Sequence, residues 1–185
     1  MGSVVIEDSD FIGNQATDGD GGAVFVFDGS LVIRRSEIRS SSASEDGGAI
    51  YIVGAVGGVV ETTFIGNEAG GRGGSINLEP NSSFTVSQSV FRDSTAASAG
   101  GAIAISSVIP IDSQGRLRVV ESSFVGNQAA TGGGAITVEG ETEAEIEGSF
   151  FLENSAENGG AIRRSSRSTL NVSQSVFRSS IASVD

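Results

Sequence analysis

Two short words return along this chain at a nearly fixed step, and that period limits the fold more than any other property of the sequence. Gly-Gly, a small residue and then Val or Ile begin at Gly21, Gly47, Gly73, Gly100, Gly133 and Gly159, in steps of 26, 26, 27, 33 and 26 residues. Between them runs a second word, led by Phe11, Ile38, Phe64, Phe91, Phe124, Phe151 and Phe177, in steps of 27, 26, 27, 33, 27 and 26. A period of this length marks a solenoid, in which each repeat buries its apolar face only against its neighbours. Both words stretch at the same place. The excess reads as an insertion of about six residues, bulging from one turn, at residues 106–116, which hold one of the chain's two prolines.

Aligning the repeats on the Phe position gives columns of constant character. Seven residues before it stand Val4, Leu31, Gly57, Phe84, Leu117, Ala144 and Leu170, and five before it Ile6, Ile33, Val59, Val86, Val119, Ile146 and Val172. Such period-two alternation is the signature of a strand with one buried face. A further strand follows each Gly-Gly pair, with Val24, Ile50, Ile76, Ile103, Ile136 and Ile162 facing inward, and Val26, Ile52, Leu78, Ile105, Val138 and Arg164 two residues on. Alanine recurs five residues after the Phe position, from Ala16 to Ala182, where an interior corner admits only a methyl group.

The polar columns fit the same stacking. Ser or Thr stands two residues before each marker, from Ser9 to Ser175. Asn14, Asn67, Asn127 and Asn154 stand three after it, with Ser41, Ser94 and Ser180 in the other coils. Side chains repeated at the spacing of paired strands, about 4.8 Å, can hydrogen-bond from coil to coil. The expected fold is an all-β, right-handed parallel β-helix of about seven coils, roughly 34 Å long at that spacing. The hand follows from the right-handed preference of parallel crossovers. Residues 1–185 read as a single domain, without a polar cap at either end.

Composition excludes several partners. Net charge is −12, from 23 acids and 11 bases, and every base is an arginine. Nucleic-acid binding requires clustered positive charge, and an anionic membrane surface would repel such a chain. No apolar run is long enough for direct membrane insertion. There is no cysteine, so nothing is stapled by a disulfide. Several acids and arginines fall in shared outward columns, as with Glu7 and Arg34, Asp8 with Arg35 and Glu61, and Arg118 with Glu145, where opposite charges on adjacent coils fix register.

Taken together, Gly-Gly-Ala-Ile and Phe-x-x-Asn alternating along a repetitive chain resemble the repeats of the chlamydial polymorphic outer-membrane proteins and related autotransporter passengers. The pairing is plainest from Phe11 to Val24, Phe124 to Ile136 and Phe151 to Ile162. The resemblance implies a right-handed β-helix, secretion to the cell surface and an adhesive role there, with a receptor or glycan as partner. An extracellular, non-enzymatic structural or adhesive module is therefore the leading expectation. The uncapped ends suggest either a segment of a longer rod or a subunit that stacks end to end into a fibre.

The alternative is a carbohydrate-binding or carbohydrate-active β-helix of the lyase or epimerase kind, which needs clustered carboxylates or calcium beside a basic group. The best acidic cluster is Asp18, Asp20, Glu45 and Asp46, on neighbouring turns beside Arg72. These are hard oxygen ligands of the type that hold calcium; solvated turn acids are the simpler reading, and no catalytic residue or other cofactor is assigned. The glutamate run at residues 139–147, flanked by Arg116, Arg118, Arg163, Arg164 and Arg167, reads as a salt-paired face. The outward residues after the glycines, Phe25, Tyr51, Asn77, Ala104, Thr137 and Arg163, form no threonine array and exclude ice binding. Asn81 and Asn171 begin glycosylation-type sequons.

Overall fold

Each coil meets the next through parallel strands, in the register that the columns predict. The computed structural model describes residues 2–106, 114–165 and 167–183, so most of the insertion lies outside the described residues. Within them the chain forms an 11-stranded sheet and two 7-stranded sheets, all of parallel strands. Seven stacked strands from Asp10–Ile12 to Val176–Arg178 bound about six full turns of a β-solenoid, close to the expected seven coils.

The three sheets correspond to the three kinds of column. One stacks the Phe-position strands and pairs Phe64 with Phe91, Phe91 with Phe124, and Phe124 with Phe151. Their rings stack at 4.6, 5.0 and 4.8 Å, with planes within 6° of parallel. Those separations reproduce the strand spacing of about 4.8 Å, so backbone pairing dictates the ring contacts. The second 7-stranded sheet carries the alanine corner, where Ala96, Ala129 and Ala156 form a small cluster of their own. The 11-stranded sheet carries the remaining inward columns; Leu31, Ile33, Ile50, Ile52, Val86 and Val119 are wholly buried in it.

That sheet changes character along the rod. In the first coils Val24–Arg34 and Ile50–Val60 run unbroken for 11 residues. The third coil divides into Ile76–Leu78 and Ser83–Ser87, because Pro80 has no N–H to donate and Asn81 turns with φ 64°. Two left-handed corners flank the Phe strand: Asp8, Arg35, Glu61, Gln88, Glu121, Gly148 and Gln174 before it, and Gly13, Ser40, Gly66, Asp93, Gly126, Glu153 and Ser179 after it. The variable third residue of the Phe word is thus a left-handed turn position.

The Gly-Gly pair combines two separate requirements. Its first member takes positive φ at Gly21, Gly47, Gly73 and Gly100, 64–70°. Its second member does not, yet a Cβ on Gly48, Gly74 or Gly101 would overlap the carbonyl oxygen of the matching glycine in the next coil. The first glycine makes the turn, and the second lets two backbones approach to strand spacing.

Candidate functional site

Polar ladders account for the recurring hydroxyls and amides from within the stack. In the serine column the hydroxyl of Ser122 donates to the Val120 carbonyl at 2.8 Å and accepts the Ser89 N–H at 3.2 Å. Ser89, Ser149 and Ser175 repeat this double bond. The asparagine ladder is directional. Asn127 accepts the N–H of Ser94 on the preceding coil at 3.1 Å and donates to the Phe91 carbonyl at 3.0 Å; Asn154 does the same to Asn127 and Phe124, at 3.0 and 2.9 Å. Asn67 reaches back to Ser41 and Ile38, both at 3.0 Å. Asn14 has no coil behind it in the described residues, and its Nδ2 is buried without a partner.

The four acids proposed for calcium do not converge. Asp20 Oδ1 accepts the Asp46 N–H at 2.9 Å, and Asp46 Oδ1 accepts the Arg72 N–H at 2.6 Å, so these two form a further ladder along the turns. Asp18 and Glu45 lie exposed beside them. Among the described residues, no group of three or more His, Cys, Asp or Glu is placed to hold a metal. The Arg72 guanidinium turns away from this cluster and meets Glu139 at 3.2 Å, where Arg163 closes from the other side at 2.6 Å. Small residues of the intervening fourth coil, Ala99 on its turn and Ala104 on the strand Ile103–Ile105, accompany that reach from the third coil to the fifth.

Burial and repulsion shape the acids left without an arginine. Burial raises the pKa of Asp46, and the nearby Asp20 adds to it, against the hydrogen bond from the Arg72 N–H. Glu79 is raised by burial too, although the Asn77 amide donates to it at 3.0 Å. Burial also pushes the Tyr51 hydroxyl up, helped by the charges of Glu79, Asp20, Asp46 and Glu45. Tyr51, Asn77 and Glu79 therefore belong with the acidic turns, a grouping absent from the sequence reading. Its signal was the outward column after the glycines, read above only for the threonine array that it lacks. Direction alone also misjudged exposure there: Asn77, Ala104 and Thr137 are buried, and Thr137 Oγ1 accepts the Gly133 N–H at 2.8 Å where the turn folds back over the strand.

The glutamate run is the expected salt-paired face. Arg116 meets Glu143 and Glu145 at 3.7 and 3.3 Å, and Arg118 meets Glu145 and Glu147 at 3.7 and 3.2 Å. A groove of about 580 Å³ opens beside it, lined by Arg116, Glu141, Glu143, Arg167 and Thr169 among others. The expected column pairs Arg34–Glu7 and Arg35–Asp8 close at 3.2 and 2.8 Å. Arg35 binds both oxygens of Asp8 and holds its carboxyl below the usual range. Asn81 is exposed at the turn after Ile76–Leu78, and Asn171 is exposed on Thr169–Ser173, in register with Glu145. No helix among the described residues is long and apolar enough to cross a membrane.

No curated protein and no solved structure matches the chain. Residues 121–139 match the family model of the Chlamydia polymorphic membrane protein repeat. That stretch runs from the left-handed corner at Glu121 through the Phe124 marker and the Gly133 pair to Glu139, the acid clasped by Arg72 and Arg163. The chain is thus a parallel β-solenoid that carries, in its fifth coil, a repeat of the kind its alternating words resemble.

Proposed function

We propose that this chain is a non-enzymatic structural and adhesive module of an extracellular surface protein. The observation that carries the reading is the polymorphic membrane protein repeat at residues 121–139, set in a solenoid whose other coils repeat its columns residue by residue. The family description supports a cell-surface location. A rigid stack with outward side chains on registered rows suits contact with another surface, since its ladders occupy the inward polar groups and leave the flanks to vary.

The orphaned amide of Asn14 supports coil-on-coil contact at the first coil as well. A coil placed behind it would supply the carbonyl that Phe91 and Phe124 supply to Asn127 and Asn154. End-to-end stacking of copies would supply it from Phe177, a residue 45% exposed at the other end. Beads coated with the purified chain test the adhesive reading against a panel of bacterial and animal cell surfaces. Saturable attachment, competed by soluble chain, is expected; attachment no greater than that of albumin-coated beads overturns it. Light scattering on the same sample tests stacking, which predicts rods longer than one chain.

The groove beside Arg116, Glu143 and Arg167 favours a second reading, a carbohydrate-binding flank. Calorimetric titration with acidic and neutral oligosaccharides tests it. Heat of binding lost in Arg116→Ala supports this second reading, and no heat with either class removes it.

A further inference from the structure

The flank of the first two coils carries an apolar patch that the stack does not need. On the outward side of Val24–Arg34 and Ile50–Val60, Phe25 is 53% exposed, Phe27 68% and Val56 54%. Phe25 pairs in register with Tyr51, and their rings stack at 5.3 Å with 27° between planes; Phe27 pairs with Val53. Phe25 and Phe27 are paired on one side, with Tyr51 and Val53, in the described residues; Val56, paired on both sides with Ser30 and Ser83, lies beyond the left-handed residues Asp28 and Gly54.

Acids edge the aromatic part of this patch. Asp20 and Asp46 stand on the turns leading into the two strands, and Glu79 stands in the same column as Phe27 and Val53, one coil on. Among the described residues none of Asp20, Glu45, Asp46 and Glu79 is in an ion pair, while Arg34, Arg35, Arg39, Arg72, Arg116, Arg118, Arg163 and Arg167 are all engaged with other acids. Next to Tyr51 in its column, Asn77 is wholly buried and its Oδ1 has no hydrogen-bond partner.

We propose that this flank docks a basic polypeptide segment of another protein, with an Arg or Lys side chain over the Phe25–Tyr51 pair and an apolar neighbour on Phe27 and Val53. The inference rests on the reading of the chain as a surface-binding module and names the chemistry of its partner. Ring faces and carboxylates attract the same charge, so a cation gains from both, and removal of water strengthens each attraction. A neutral sugar would hydrogen-bond to these carboxylates but leave their four charges uncompensated. A second copy of this chain, with net charge −12, is repelled by them. Calcium is a poor fit, because Asp20 and Asp46 already accept backbone N–H groups and no three acids converge among the described residues. A partner strand fits by spacing, since residues two apart lie about 7 Å apart on one face, as Phe25 and Phe27 do.

The test is fluorescence anisotropy with a labelled peptide of alternating Arg and Val, against a Glu and Val counterpart and cellohexaose. Saturable, salt-sensitive binding of the basic peptide alone is expected. Phe25→Ser and Glu79→Gln should each weaken it about three- to tenfold, while Glu143→Gln on the salt-paired face leaves it unchanged. Phe25 is exposed and Gln keeps the Asn77 bond; a cooperative melt, unshifted for Phe25→Ser and no lower than that of the parent chain for Glu79→Gln, verifies that both variants fold. Equal affinity in all three variants, or preference for the sugar or the acidic peptide, overturns the proposal. Coated beads that still attach to cells while the basic peptide fails to bind overturn this inference alone. Peptide binding at the patch without bead attachment supports it and overturns the adhesive function.

Discussion

Replacing Phe91 by alanine removes an interior ring of a continuous stack, and the loss can be worked from its surroundings. Phe91 is wholly buried, with Phe64 at 4.6 Å on one side and Phe124 at 5.0 Å on the other. Truncating a fully buried phenylalanine costs about 3–5 kcal/mol, the upper part of the range applying where the cavity cannot collapse. Here it cannot, because backbone pairing on both sides fixes the coil spacing. Phe177 has the same side chain in the same column, but it is 45% exposed and touches one ring, Phe151 at 4.6 Å. Scaling by the area kept from water gives about 1–2 kcal/mol for Phe177→Ala. Phe91→Ile should cost roughly 1–1.5 kcal/mol, since Ile38 fills that column, wholly buried, in the second coil. Urea unfolding followed by circular dichroism, with slope and midpoint both fitted, gives the three values. Equal losses for Phe91→Ala and Phe177→Ala would mean that the column is not a continuous buried stack.

Four further outcomes are expected. Gly74→Ala should cost about 3 kcal/mol or prevent folding, because its Cβ meets the Gly101 carbonyl, whereas Gly66→Ala, with open space at φ 57°, should cost about 1 kcal/mol; paired thermal melts decide. Asn127→Ala strands the Ser94 N–H and the Phe91 carbonyl inside the stack and should destabilise by about 2–4 kcal/mol, measured by urea titration. Glu79→Gln should raise the melting temperature at pH 7. Burial raises the folded pKa of this acid, so ionisation costs stability as pH climbs from its unfolded value through the raised folded one, and the advantage of Gln should vanish below the unfolded value, near pH 3.5 by ordinary carboxylate chemistry (about 4.3 for Glu). Glu139→Gln breaks half-buried contacts to Arg72 and Arg163 and should cost about 1–2 kcal/mol, less in high salt, by the same melts.

Register was legible in the sequence because a parallel stack leaves no freedom in it. A side chain on the wrong row would break a column of buried valines and isoleucines, so Ile33, Val59, Val86 and Val119 reveal their pairing by position alone. The need for a second glycine was less legible. Positive φ can be inferred for one residue of a tight turn, but the close approach at Gly74 depends on a chain 27 residues away. Long side chains were the least legible. Arg72 shares a row with Asp46, yet its guanidinium crosses a coil of small residues to Glu139, and nothing in the spacing of either residue requires that choice. The flank at Phe25 and Tyr51 was hidden for a related reason, since the outward column mixes exposed rings with the buried Asn77 and Thr137, and only the path of the neighbouring turn separates them.

The central claim, that interchangeable coils stacked in register make up this fold, is tested most directly by removing one. Deleting residues 124–150 joins Ser123 to Phe151, sets Phe151 on Phe91 and Val172 on Val119, and gives the Asn154 amide the Phe91 carbonyl that Asn127 used. The measurement is the urea slope of the shortened chain beside that of the full one. A cooperative β transition whose slope is lower by about one seventh, in proportion to the surface removed, is the result expected of a stack. A chain that loses its β spectrum or unfolds without a transition would show that its coils depend on one particular neighbour, and would contradict the account.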